Sequence, residues 1–127
     1  MNKRILSILV ENTAGVLSRV SGLFSRRGYN IDSLSAGITT DPNYTRMTVV
    51  CKGDELILEQ ITRQVEKLED VLSVKVLKDG QSVTRELMLV KVKVTPEQRA
   101  GVSAIVDIFR ANIIDVGKES MIIELTG

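Results

Sequence analysis

Histidine and tryptophan are absent from these 127 residues, and cysteine occurs once. Without histidine there is no usual general base, no commonest zinc ligand and no Ser-His or Cys-His device. The single Cys51 cannot form an internal disulfide and fits a reducing compartment. Phe24, Tyr29, Tyr44 and Phe109 are the whole aromatic complement, too few for a base-stacking platform. Neither sign of charge is in excess: 17 Lys and Arg against 16 Asp and Glu leave +1, which argues against a nucleic-acid or membrane-surface binder. No apolar run nears the roughly 20 residues needed to span a bilayer. The opening Met1-Asn2-Lys3-Arg4 runs straight into apolar alternation, with no signal-peptide pattern. No GxGxxG, Walker loop or CxxC occurs, and the carboxylates show no metal-ligand spacing. These absences point to a soluble, cytoplasmic protein poorly equipped for catalysis.

The apolar material that remains is patterned. Arg4–Glu11 alternates as a strand that is apolar on nearly both faces, so a central position is expected. A helix is expected from Ala14 to Arg27, with Val16, Leu17, Val20, Leu23 and Phe24 on one face, Thr13 or Asn12 as its cap, and Gly28 as its stop. Tyr29–Ile38 reads as an irregular strand interrupted at Gly37. Thr45–Lys52 follows as a strand, then a helix from Gly53-Asp54 to Glu69, then a strand at Val71–Leu77. The order β-α-β-β-α-β is the split βαβ plan, four antiparallel strands under two helices. Right-handed crossovers put the first strand beside the third and fourth and leave the second at an edge.

A second pass begins at Arg85. Arg85–Val94 reads as a strand with Met88, Val90, Val92 and Val94 on one face. Thr95-Pro96-Glu97-Gln98 is a helix start by capping box and N-terminal proline. Val102, Ile105, Val106 and Phe109 form the apolar face of the helix that follows. Asn112–Val116 and Met121–Leu125 read as two more strands. At an offset of about 82 residues Thr13 matches Thr95, and Ile31-Asp32 matches Ile114-Asp115, a weak internal repeat. The second copy lacks a second helix and fourth strand. Either the chain is shortened or a partner supplies the missing surface.

Two stretches could carry chemistry. In Glu11-Asn12-Thr13-Ala14-Gly15-Val16-Leu17 a central strand enters a helix through a glycine. The first N–H groups of a helix have no internal partner and sit at the positive end of its dipole, so they suit an anion. Glycine lets a ligand approach the backbone, and Asn12 adds a side-chain amide. With no Lys or Arg in the loop, a single carboxylate fits better than a phosphate. An ordinary capped helix fits the same residues. The second stretch, Arg27-Gly28-Tyr29-Asn30-Ile31-Asp32, starts the edge strand. If two copies pair edge to edge about a two-fold axis, Asn30 and Ile31 of one approach the Asn12–Gly15 loop of the other. Asn30 as a turn residue and Ile31 as core is the plainer reading. Cys51 reads as a buried thiol.

The string Arg4-Ile5-Leu6-Ser7-Ile8-Leu9-Val10-Glu11-Asn12, continued by Gly15-Val16-Leu17-Ser18-Arg19-Val20 and Gly22-Leu23-Phe24-Ser25-Arg26-Arg27-Gly28-Tyr29-Asn30-Ile31, resembles the small regulatory subunits of acetolactate synthase. The likeness continues through Asp41-Pro42, Arg46-Met47-Thr48, Leu87-Met88-Leu89-Val90-Lys91-Val92, Ile108-Phe109-Arg110 and Ile113-Ile114-Asp115-Val116. The resemblance implies an α+β fold class: a ferredoxin-like βαββαβ ACT domain over residues 1–79, then an incomplete βαββ unit over 80–127. It implies a non-catalytic subunit that activates a large catalytic subunit and confers feedback inhibition by a branched-chain amino acid, most often valine, at the interface of an ACT homodimer. Carried onto this chain, Asn12 and the backbone at Ala14, Gly15, Val16 and Leu17 would hold the effector's carboxylate and part of its side chain, and Asn30 and Ile31 of the second copy its ammonium end. Thiamine diphosphate, Mg²⁺ and FAD would belong to the large subunit and none to this chain. The departure is length, since the family usually has a complete second domain. A free-standing amino-acid sensor controlling transcription or another enzyme is the alternative. A small acyl-phosphate hydrolase would need an arginine in the first helix-start loop, which Asn12 to Gly15 lacks.

Overall fold

The computed structural model describes residues 2–127, which form two compact units that divide between Ser82 and Val83. The first contains β1 (Asn2–Glu11), α1 (Val16–Arg27), β2 (Asn30–Ile38), β3 (Tyr44–Gly53), α2 (Glu55–Glu66) and β4 (Val71–Leu77). Its sheet runs β2-β3-β1-β4, all antiparallel, with β1 central and β2 at an edge as the crossover rule requires. Alternation explains the packing. Leu6, Ile8 and Val10 of β1 and Met47, Val49 and Cys51 of β3 point to one face and are fully buried. Against them lie Val16, Val20, Leu23 and Phe24 of α1 and Leu58, Ile61 and Val65 of α2, each set at helical spacing.

Helix ends follow local chemistry, with two departures from the sequence pattern. Gly28 closes α1 in the left-handed region (φ 65°), where its N–H reaches the Ser25 carbonyl and Tyr29 N–H the Phe24 carbonyl. The Asp54 carboxylate caps α2 by accepting from Ile57 N–H at 2.9 Å. The expected run of α2 to Glu69 stops at Glu66, because the chain there tightens into three-residue turns, Leu68 N–H to Val65 and Val71 N–H to Leu68. Leu17, expected on the apolar face of α1, is 47% exposed; it lies about 75° from the mean direction of the buried stripe 16, 20, 23, 24, at the margin of that face. The irregularity of β2 also has another source than Gly37, which pairs regularly with Arg46. A bulge between Ile31 and Ser33 leaves Asp32 unpaired, its carboxylate facing Lys52 at 3.4 Å and Lys3 at 3.8 Å.

The second unit contains β5 (Leu87–Lys93), a 3₁₀ turn at Pro96–Gln98, α3 (Arg99–Ile108), β6 (Asn112–Val116) and β7 (Ser120–Thr126), in sheet order β5-β7-β6. Gln98 closes on the Thr95 N–H at 3.0 Å, as the capping box requires. A bulge again interrupts the edge strand, here between Ile113 and Asp115. The two bulges put Asp32 and Ile114 in equivalent ladder positions, so Ile31 corresponds to Ile113, one residue from the sequence match. Val94, Val106, Met121 and Ile123 are buried. Met88, Ile105 and Phe109, expected on apolar faces, are more than half exposed, because one helix on three strands cannot cover them.

Candidate functional site

The loop from β1 to α1 is held at both ends. Glu11 N–H donates to the Asp70 carbonyl at 2.9 Å, and Asn12 N–H to the Asn43 carbonyl at 2.8 Å. The Asn12 side chain spans to the β2–β3 connection, where Nδ2 donates to the Pro42 carbonyl at 3.0 Å and Oδ1 accepts from Thr45 Oγ1 at 3.1 Å. Asn12 is therefore a clamp across two elements and not the cap of α1. The cap position is Gly15, in the left-handed region at φ 79°, ψ 1°, with no side-chain oxygen over the first turn. The expected cap by Thr13 or Asn12 fails because Thr13 turns its carbonyl to Val16 N–H (3.3 Å) and Asn12 is spent on the hairpin. Only glycine takes that backbone conformation without a steric penalty from Cβ.

This geometry sorts the expected ligand groups. Among the described residues no backbone acceptor meets the N–H of Ala14, Gly15, Leu17 or Ser18. Val16 contributes less than expected: its N–H faces Thr13 and its side chain lies in the core. Asn12, Ala14, Gly15 and Leu17 thus cluster at one end of the sheet, at the positive pole of α1. Asn30 and Ile31 do not join them within the chain. They pair with Lys52 and Cys51 at the other end, beside the start of β1, and Asn30 lines a cleft with Arg27, Gly28, Lys52, Asp54 and Gln60. The length of β2 between the two ends is about 27 Å at strand rise. Asn30 is exposed, and Ile31 packs partly against the core.

One charged group at the loop escaped the sequence reading, so the lack of Lys and Arg within the loop no longer separates a carboxylate from a phosphate. Arg19, one turn into α1, folds back toward the helix start, as helical side chains lean. Its Nη2 lies 3.3 Å from the Ala14 carbonyl and 3.4 Å from Thr13 Oγ1, and its Nε donates to the Asp70 carboxylate. That hydrogen bond holds the guanidinium pKa above its ordinary value, and arginine is a cation at that ordinary value already. The i, i+4 spacing from Gly15 was a local hint. Asp70, at the far end of the α2–β4 turn, had none.

Cys51 is fully buried against β1, its thiol 3.5 Å from the Arg4 carbonyl, and burial pushes its pKa up. At mildly alkaline pH the native thiol is expected to stay protonated and silent toward an aromatic disulfide reagent, and to react fully in denaturant. Rapid native labelling would show that this core opens. Among the described residues no three His, Cys, Asp or Glu side chains cluster as metal ligands, and no helix is long and apolar enough to cross a membrane.

Comparison with known proteins matches both units. Residues 6–73 match the family described as AHAS small subunit-like ACT domain, and residues 85–127 the family described as small subunit of acetolactate synthase. The chain is 50% identical over 122 residues to the acetolactate synthase small subunit of Mycobacterium avium, covering 96% of this chain and 73% of that one. It is 50% identical over 125 residues to the acetolactate synthase isozyme 3 small subunit of Escherichia coli, covering 98% and 77%. The crystal structure of the small subunit from Thermotoga maritima superposes with TM-score 0.90 at 39% identity, covering all of this chain and 80% of that one. The regulatory subunit of aspartate kinase from Thermus flavus shares the fold alone, at TM-score 0.52 and 17% identity over 99% of this chain and 82% of that one. A four-stranded sheet under two helices, matched together with its shorter companion by relatives along nearly the whole of this chain, places it in the acetolactate synthase small-subunit family, with an ACT domain as its first unit.

Proposed function

We propose that the chain is the non-catalytic regulatory subunit of an acetolactate synthase, that it raises the activity of the large catalytic subunit, and that it confers feedback inhibition by a branched-chain amino acid, valine foremost. The observation that carries this reading is the set of N–H groups at Ala14, Gly15 and Leu17 that meet no backbone acceptor at the positive end of α1, where Gly15 brings no side chain and Ala14 only a methyl. Such a cradle takes one carboxylate. The half-exposed Leu17 beside it offers apolar surface to an aliphatic side chain.

The ammonium end requires a second copy. β2 is an edge strand of nine residues that carries neither lysine nor proline; its guard against edge pairing is confined to the Asp32 bulge near its start, and Ser33–Ile38 is left regular. If two β2 strands pair antiparallel about a two-fold axis, the partner's Asn30 and Ile31 lie level with Ile38 of the first copy, next to Thr45 and the Asn12 clamp. The homodimer then joins residues that one chain keeps at opposite ends. Effector binding couples to the catalytic subunit by a differential free energy of about 1–3 kcal/mol, the usual size for two linked sites. On this reading thiamine diphosphate, Mg²⁺ and FAD reside on the large subunit, this chain holds no cofactor, and the assembly is cytoplasmic, in keeping with the single unpaired Cys51.

The test joins calorimetry to an activity assay. Titration with valine, leucine and isoleucine is expected to give saturable binding, tightest for one of them. The large subunit is expected to turn over faster with this chain present and to slow again with that amino acid. Binding without any effect on the synthase would favour a free-standing sensor. No binding by any of the three would overturn the effector site.

A further inference from the structure

Arg19 stands one turn inside α1 with its charge turned back over the effector loop, and its donors are only partly spent. Nε is occupied by Asp70, whose side chain is mostly buried and whose carbonyl is fixed to β1 through Glu11 N–H. Nη2 faces the Ala14 carbonyl and Thr13 Oγ1 at 3.3 and 3.4 Å, both long contacts. Nη1 meets no acceptor among the described residues. It lies 3.0 Å from where a Cβ on Gly15 would sit, beside the residue at the centre of the cradle. A carboxylate resting on the N–H groups of Ala14, Gly15 and Leu17 therefore has a guanidinium edge at its side.

We propose that Arg19 is the charged wall of the effector site, donating from Nη1 to the ligand's carboxylate, and that Asp70 is the positioning residue that holds it there. This rests on the reading of the loop as a carboxylate site. A helix start attracts any anion weakly, whereas a planar, permanently charged fork selects a carboxylate over its neutral amide. Because Asp70 reaches Arg19 through Nε, the ligand adds to the ion pair without breaking it. The α2–β4 turn that carries Asp70 is thereby tied to the effector, although it contributes no ligand contact.

The experiment uses the full chain, titrated by calorimetry with a branched-chain amino acid and with its carboxamide. The unaltered chain is expected to prefer the acid strongly. Arg19→Gln is expected to weaken acid binding by about tenfold or more, the usual consequence of losing a charge-assisted hydrogen bond, and to leave the amide unchanged. Arg19→Lys, which keeps the charge and loses the fork, falls between. Asp70→Asn weakens acid binding by a smaller factor, and adds nothing in the Arg19→Gln background. Unchanged acid affinity in Arg19→Gln, with the unaltered chain binding normally, overturns this inference alone. So does an equal loss for acid and amide with a lowered melting temperature, which would make Arg19 a structural tie. Failure of the unaltered chain to bind either compound overturns the effector site itself.

Discussion

Gly15→Asp is expected to abolish feedback inhibition while leaving stimulation of the large subunit largely intact. Three effects converge at this position. The backbone at φ 79° costs a side-chain-bearing residue about 1 kcal/mol. The new Cβ would stand 3.0 Å from Arg19 Nη1, so the guanidinium must shift. The added carboxylate would then face the same cation and the same N–H groups as the effector's own, an anion built into the site. Affinity for valine is expected to fall by at least about a hundredfold, the sum of a lost cradle and a like-charge neighbour. Gly15→Ala separates the causes: it carries the backbone strain and the Cβ contact with Arg19 without the charge, and a loss of only several-fold is expected. The check is inhibition of the reconstituted synthase across a valine titration, beside calorimetry on the isolated chain. A Gly15→Asp protein inhibited like the parent would remove the cradle from consideration.

The second large effect is expected at the sheet edge. Thr39 N–H donates to the Tyr44 carbonyl, and the ladder continues from Ile38 paired with Thr45 down to Ser33 paired with Val50. Alternation in an antiparallel pair then turns the N–H of Ser33, Ser35 and Gly37 toward β3, and that of Leu34, Ala36 and Ile38 outward. Ala36→Pro removes an outward donor and leaves the β2–β3 ladder whole. If the effector lies across paired β2 strands, this substitution is expected to yield a monomer in sedimentation and to reduce valine binding by two orders of magnitude or more. The melting temperature is expected to move by only a few degrees, because the core under α1 and α2 is untouched. A monomer that still bound valine with full affinity would mean that one chain suffices for the site. A dimer that survived the proline would place the contact elsewhere on the protein.

Legibility followed the range of each interaction. Gly28 after the last apolar position of α1, Asp54 before α2 and Thr95 with Gln98 before α3 were all readable, because a cap lies within a few residues of what it caps. Period-two and helical spacing picked out the buried faces of β1, β3, α1 and α2 for the same reason. The glycine at the start of α1 was visible as a residue, but not its place as the cap of that helix. An Asn12 or Thr13 cap is the local expectation, and what displaces it is a bond from Asn12 to Pro42, thirty residues away. Arg19 carried no role in the sequence reading, because what draws it over the loop is Asp70, fifty-one residues on. In the second unit the spacing of Ile105 and Phe109 was sound, yet it promised a core that no element there supplies.

The amino-acid order alone settled the number and kind of elements, the two-unit plan, the central place of the first strand and the exclusion of histidine-dependent chemistry, since each depends on neighbours along the chain or on composition. Tertiary structure decided where the charges stand: that Asn12 is a clamp, that Val16 has no N–H to offer, that Arg19 stands at the cradle, and that Asn30 sits a strand's length from the loop of its own chain. Those outcomes hang on contacts between segments far apart in sequence, whose free energies are set by register, burial and competition among partners.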